Sequence, residues 1–132
     1  MSNSSQAPHT SPGEIAQWPM LKIVYRTDAE AIRKLLPPGI ECGEQPNVNL
    51  TIYNLPVNAE PEYGVLITIN AAYGGQQGEY AIGYGIDQEA AIFISSMMNG
   101  QPKFPCEVRY YRLGDSVTAR CSHQGYTFLE FS

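Results

Sequence analysis

The stretch "EYAIGYGIDQEAAIFISSMMNGQPKF", Glu79 to Phe104, decides the fold. Glu79–Ile86 is rich in β-forming residues and reads as a strand. Asp87 then offers a helix N-cap. Ala90, Phe93, Ile94, Met97 and Met98 recur at helical spacing and make one apolar face. On that reading Met97 and Met98 are core residues. Asn99-Gly100 fits a helix C-terminus, and Pro102 forbids continuation. A loop follows, and it carries one lysine, Lys103, between Pro102 and Phe104-Pro105.

Working outward, "PMLKIVYRT" (Pro19–Thr27) reads as a strand. In "TDAEAIRKLLPPG", Thr27 and Glu30 have capping-box spacing, and Asp28 favours a helix N-terminus. Ala31, Ile32, Leu35 and Leu36 form its apolar face, and Pro37-Pro38-Gly39 ends it. Asn47–Val57 alternates polar and apolar residues, as a half-buried strand does. Tyr63–Tyr73 is a more apolar strand, and Gly74–Gly78 is a turn. Cys106–Leu113 and Ser116–Gln124 flank "GD" as a hairpin. Tyr126–Ser132 is a last strand-like run. Seven strands and two helices give an α+β domain whose sheet is mixed or mostly antiparallel and curled towards a barrel.

The composition narrows the function. The chain has 132 residues, 43% of them hydrophobic, and a formal net charge of -5. This fits one modest core and no nucleic-acid partner, because Lys and Arg form no cluster. No apolar run reaches the length of a membrane span. Residues 1–17 are polar, lack the pattern of a signal peptide, and read as a disordered or loosely attached tail before a domain at 18–132. Cys42, Cys106 and Cys121 are odd in number and widely spaced, which points to reduced thiols in the cytoplasm.

Most candidate chemistry has a plainer reading. Cys121-Ser122-His123 offers two metal ligands where zinc needs three or four. His9 lies in the tail. No G-x-S-x-G elbow is present. The glycines at 74, 75, 78, 83 and 85 do not join a strand to a helix N-terminus, so they read as turn and sheet glycines. Glu60 and Glu62 stand just before an apolar strand and read as a solvated loop.

Lys103 is the remaining reactive group. An amine attacks a ketone only when neutral. A model lysine has a pKa of about 10.4, so on the order of one in a thousand is neutral at pH 7. A drop of about 3 units requires roughly 4 kcal/mol of destabilisation of the ammonium. Burial or a nearby cation supplies it. The prolines hold Gln101 and Phe104 extended, and Phe104 offers an apolar wall. By residue type alone Lys103 is a surface lysine, with a tuned amine as the alternative.

Three blocks carry a resemblance. "KIVYRTDAEAIRKLLPPGIE" (Lys22–Glu41), "GEYAIGYGIDQEAAIFISSMMNGQPKF" (Gly78–Phe104) and "RLGDSVTARCSHQG" (Arg112–Gly125) resemble the acetoacetate decarboxylase family over roughly residues 18 to 125. The resemblance implies part of a cone-like β-barrel. It also implies Schiff-base chemistry on a β-keto acid with neither metal nor organic cofactor. It makes Lys103 the Schiff-base lysine and Glu62 an acid/base or orienting carboxylate. Phe104, Trp18 and Met97 become walls of the substrate pocket. The family's second lysine falls on Phe104, its arginine on Trp18, a second glutamate near Thr51, and its glycine-arginine-glutamate stretch on Ile94–Met97. These departures bring in two alternatives to decarboxylation. One is aldolase or dehydratase chemistry on pyruvate-like substrates. The other is a non-catalytic ligand-binding or degenerate member. Family members are close to twice as long, so the expectation is a chain truncated at its C-terminus or a barrel completed by another copy, as a homo-oligomer.

Overall fold

A computed structural model describes residues 20–57 and 59–132. The chain runs β1 (Met20–Arg26), α1 (Ala29–Leu35), β2 (Glu41–Cys42), β3 (Asn47–Val57), β4 (Glu60–Tyr73), β5 (Gln76–Ile86), α2 (Glu89–Asn99), β6 (Lys103–Pro105), β7 (Glu107–Leu113), β8 (Ser116–His123) and β9 (Tyr126–Phe131). Among the described residues this makes nine strands, two more than the sequence pattern gives. The additions are β2 and β6, and the second of these is the lysine loop itself.

The first sheet has six strands in the order β1-β3-β4-β5-β6, with β2 paired to β4. It is open, and every pairing in it is antiparallel except β5 with β6. A parallel neighbour needs a crossover, and α2 provides it, so β5-α2-β6 is a βαβ unit. The second sheet is the antiparallel meander β7-β8-β9.

Side chains alternate along each strand, so the two faces of the six-stranded sheet have different contents. One face presents Ile52 and Val65 to Val108, Ala119 and Cys121 of the second sheet. The same face lays Val48 and Ile69 against Ile32 of α1. Full burial of each such side chain contributes about 1.5–3 kcal/mol. The opposite face carries Tyr53 and Ile86, which meet Ile92 of α2.

The helix ends depart from the expected caps. α1 is capped by Asp28, whose carboxylate accepts from the Glu30 N–H. Thr27 and Glu30 therefore form no capping box, and Glu30 pairs with Arg33 instead. α2 begins after Gln88, not Asp87. The Asp87 carboxylate accepts from the Tyr63 N–H at 3.0 Å and ties the helix entrance to β4. At its far end Gly100 takes the left-handed conformation (φ 63°) and donates to the Ser95 carbonyl.

The apolar arc of α2 is also turned around. Met97 and Met98 are 83% and 78% exposed, and Phe93 and Ile94 are exposed as well. They are not core residues. Ile92, outside that arc, is the side chain that α2 buries.

Candidate functional site

The candidate site lies where α2, β5 and β6 meet. The Tyr84 N–H donates to the Pro102 carbonyl at 3.0 Å, and the Cys106 N–H donates to the Ile86 carbonyl at 2.9 Å. These two bonds bracket β6 and set Lys103 opposite Tyr84. Lys103 is half-buried. Its ammonium stands 4.9 Å from the centre of the Tyr84 ring, within cation–π range. It donates to Ser95 Oγ at 2.9 Å. Helix and strand thus hold the amine from two sides.

The aromatic contact continues inward. The rings of Tyr84 and Tyr53 meet edge to face, 6.0 Å apart. The Tyr53 hydroxyl donates to Glu62 Oε1 at 3.0 Å. Tyr53 and Glu62 are both only 3% exposed. The contacts therefore run Lys103, Tyr84, Tyr53, Glu62. Burial pushes the Tyr53 phenol far above its ordinary range, with Tyr84 and the charge of Glu62 adding to the effect, so it remains a hydrogen-bond donor. Gly64 makes room for this ring: a Cβ there would lie 2.2 Å from the Tyr53 hydroxyl oxygen.

Further along the same face the polar side chains are paired. Asn49 donates to Asn70 at 3.0 Å, and Thr68 donates to Glu79. Asn49 and Thr68 are buried. This half of the face keeps hydrogen-bonding groups where the other face keeps aliphatic ones.

Of the residues singled out from sequence, Lys103 and Glu62 are on this face and linked through the two tyrosines. Glu62 is not in a solvated loop, because β4 starts at Glu60 and the carboxylate turns inward. Phe104 is on the other face. Its ring packs on His123 at 5.3 Å and Phe128 at 6.2 Å, and it helps line a cavity of about 430 Å³. Met97 points outward from α2. Trp18, His9 and the rest of residues 1–19 lie outside the described residues. Tyr53, Tyr84 and Ser95 were not singled out. The alternation of Asn47–Val57 and the isolated tyrosine of "GYG" were the signals available for the two tyrosines.

A cavity of about 650 Å³ opens between the start of α2 and the β8–β9 turn, and Lys103 does not line it. Cys106 does, beside His123. The His123 Nδ1–H donates to the Pro105 carbonyl at 2.6 Å. The three cysteines are free thiols. Within the buried pair, a hydrogen bond from Cys121 pulls Cys106 below the usual thiol range, and the same bond pushes Cys121 up, with burial reinforcing it. Among the described residues no three His, Cys, Asp or Glu side chains gather to hold a metal ion. No helix among them is long and apolar enough to cross a membrane.

Comparison with known proteins places the family and the fold. The chain is 33% identical over 85 residues to an acetoacetate decarboxylase of Clostridium botulinum, a match covering 61% of this chain and 34% of that protein. It is 30% identical over 107 residues to an acetoacetate decarboxylase of Streptomyces nogalater, covering 78% and 43%. The matched part is thus less than half the length of either relative. In fold it superposes on the acetoacetate decarboxylase of Legionella pneumophila with a TM-score of 0.73 at 18% identity, over 95% of this chain and 53% of that one. It also superposes on the enduracididine biosynthesis enzyme MppR, solved with the condensation product of pyruvate and imidazole 4-carboxaldehyde, with a TM-score of 0.69 at 18% identity, over 84% and 51%. The open sheet with its two helices therefore resembles part of the acetoacetate decarboxylase-like fold. The acetoacetate decarboxylase family model matches residues 1–132, and the chain belongs to that family.

Proposed function

We propose that this chain carries the Schiff-base centre of an acetoacetate decarboxylase-like lyase, with Lys103 as the nucleophile. The observation that carries this reading is the placement of the amine, half-buried where β6 pairs with β5 and oriented from α2 by Ser95. The neutral amine attacks the ketone carbon of a small β-keto acid, and loss of water leaves an iminium. The C–C bond to the carboxylate breaks, carbon dioxide leaves, and the electron pair moves onto the iminium nitrogen to give an enamine. Protonation at carbon and hydrolysis release the ketone and restore Lys103. Glu62, held by Tyr53, is the carboxylate that orients groups on this face. The steps use the protein's own amine as the electron sink.

A second reading has one observation in its favour. Phe104, at the position of the family's second lysine, points into the opposite face. The position that would bring a second cation beside Lys103 therefore brings none to this face. The iminium formed from pyruvate instead loses a proton from its methyl group to give an enamine, whose carbon adds to an aldehyde; the aldehyde oxygen takes up a proton, and hydrolysis of the new iminium releases the product and restores Lys103, as in an aldolase. The fold neighbour MppR holds such a pyruvate–aldehyde product.

Borohydride trapping tests both. The protein is incubated with acetoacetate, acetone or pyruvate, reduced, and mapped by peptide mass spectrometry. An adduct on Lys103 with carbon dioxide release supports decarboxylation. An adduct with pyruvate and no carbon dioxide from acetoacetate supports the second reading. No adduct on Lys103 with any of the three ends both.

A further inference from the structure

We propose that Cys106 and Cys121 form a thiol redox couple, in which a small hydroperoxide oxidises Cys106 and Cys121 closes an intramolecular disulfide. Both thiols are free, and both are buried in the apolar cluster between the two sheets. Cys121 pairs with Val108 in the β7–β8 hairpin. Cys106, two residues before Val108, is therefore its diagonal neighbour on the same face. The two side chains are in hydrogen-bond contact. Residues of this chain bury both, so their adjacency needs nothing from outside it.

The two thiols are not equivalent. Cys106 lines the cavity of about 650 Å³, while Cys121 is fully buried and does not. The hydrogen bond between them favours the thiolate on Cys106 and keeps the proton on Cys121. The thiolate is the form that attacks an oxidant. A reachable thiol of this kind, with a second thiol beside it, is the arrangement of a redox-sensing cysteine and its resolving partner. The backbone has room to adjust at both ends. Cys106 is the single residue between β6 and β7. The β8–β9 ladder shifts register between Cys121 and Ser122. A diagonal pair starts wider than a disulfide spans, about 7–8 Å against about 4.4–6.8 Å between Cα atoms. These two irregular points are where the difference is taken up. A bond closed under such strain is readily reduced, which suits a couple that cycles.

The steps balance without a metal or cofactor. The Cys106 thiolate attacks one peroxide oxygen, the O–O bond breaks, and the other oxygen leaves with a proton as water or an alcohol. Cys106 is then a sulfenic acid. The Cys121 sulfur attacks it, the S–S bond forms, the S–O bond breaks, and the hydroxyl leaves with the Cys121 proton as water. Two thiols have lost two electrons and the peroxide has gained them. An external dithiol reverses the bond by exchange.

The inference does not rest on the Schiff-base reading, since its readout involves no carbonyl compound. The full chain is treated with hydrogen peroxide, quenched by alkylation and mapped by peptide mass spectrometry. The expected product is a disulfide joining Cys106 to Cys121, which dithiothreitol opens again. Cys106 should be consumed on the order of ten-fold faster than Cys42, although Cys42 is the more exposed. In Cys121→Ser the reaction should stop at a sulfenic acid on Cys106 that dimedone traps. If that variant does not fold, the wild-type map decides alone. Folded wild-type chain in which Cys106 and Cys121 both stay reduced overturns the proposal. So does oxidation of Cys106 to a sulfinic acid with no disulfide. So does a Cys106–Cys121 bond that forms only in the urea-unfolded chain.

Discussion

One face of the six-stranded sheet sets Ile52 and Val65 against a second sheet. The other lays Tyr53, Tyr84 and Lys103 under a single helix. The same strands make both faces, and one residue step along a strand moves a side chain from one to the other. β6 shows the effect at its smallest: Lys103 lies against helix and tyrosine, while Phe104 enters the aromatic contacts beneath the second sheet. The covered face supplies the apolar burial that holds the domain together. That leaves the other face free to keep a buried carboxylate, a phenol and an amine.

The sharpest way to break this division is at Lys103. Lys103→Arg keeps a cation for the Tyr84 ring but removes the nucleophilic amine. The borohydride-trapped adduct should fall to background while the melting temperature moves little. A persistent adduct on another lysine would move the chemistry elsewhere on the molecule.

Next in size is the covered face. Ile52 is fully buried, and Ile52→Ala should cost about 2–5 kcal/mol, read by urea unfolding. A cost below 1 kcal/mol would mean that the second sheet does not depend on this contact. Gly64→Ala strikes the other face. The new methyl meets the Tyr53 hydroxyl, and the expected cost is about 1–3 kcal/mol, from displacement of the ring or of the strand. If the variant is as stable as the wild type, the Tyr53 ring moves aside easily and does not fix Glu62.

Regular elements were legible because their patterns are local. The alternation of Asn47–Val57 gave β3 its full range, and "GD" marked the turn between β7 and β8. β6 was not legible. Three residues between prolines carry no periodicity, and their strand character comes from pairing with β5, a long-range fact. Periodicity also gave α2 an apolar arc without saying which way it points. Met97 and Met98 were therefore placed in a core they do not enter. Lys103 stood out by elimination and by its flanking prolines, and the resemblance supplied the roles expected of it and of Glu62. The tyrosines that join them needed the register of β3, β4 and β5, which puts residues from three strands on one face.

The smallest expected effect separates aiming from proton transfer. Ser95 comes from the helix, and its hydroxyl is the one link that runs from α2 to the Lys103 ammonium among the hydrogen bonds described. Ser95→Ala should cost about 0.5–1.5 kcal/mol of stability, the net worth of one such bond. The amine keeps its place over Tyr84, so the adduct should still form, with trapping slowed by up to about ten-fold, the equivalent of 1.4 kcal/mol. A loss as complete as that of Lys103→Arg would show that the hydroxyl moves a proton and does not only orient the amine. An unchanged rate would leave β6 and Tyr84 as sufficient to aim it, and α2 would then serve this face chiefly by covering Tyr53 and Ile86.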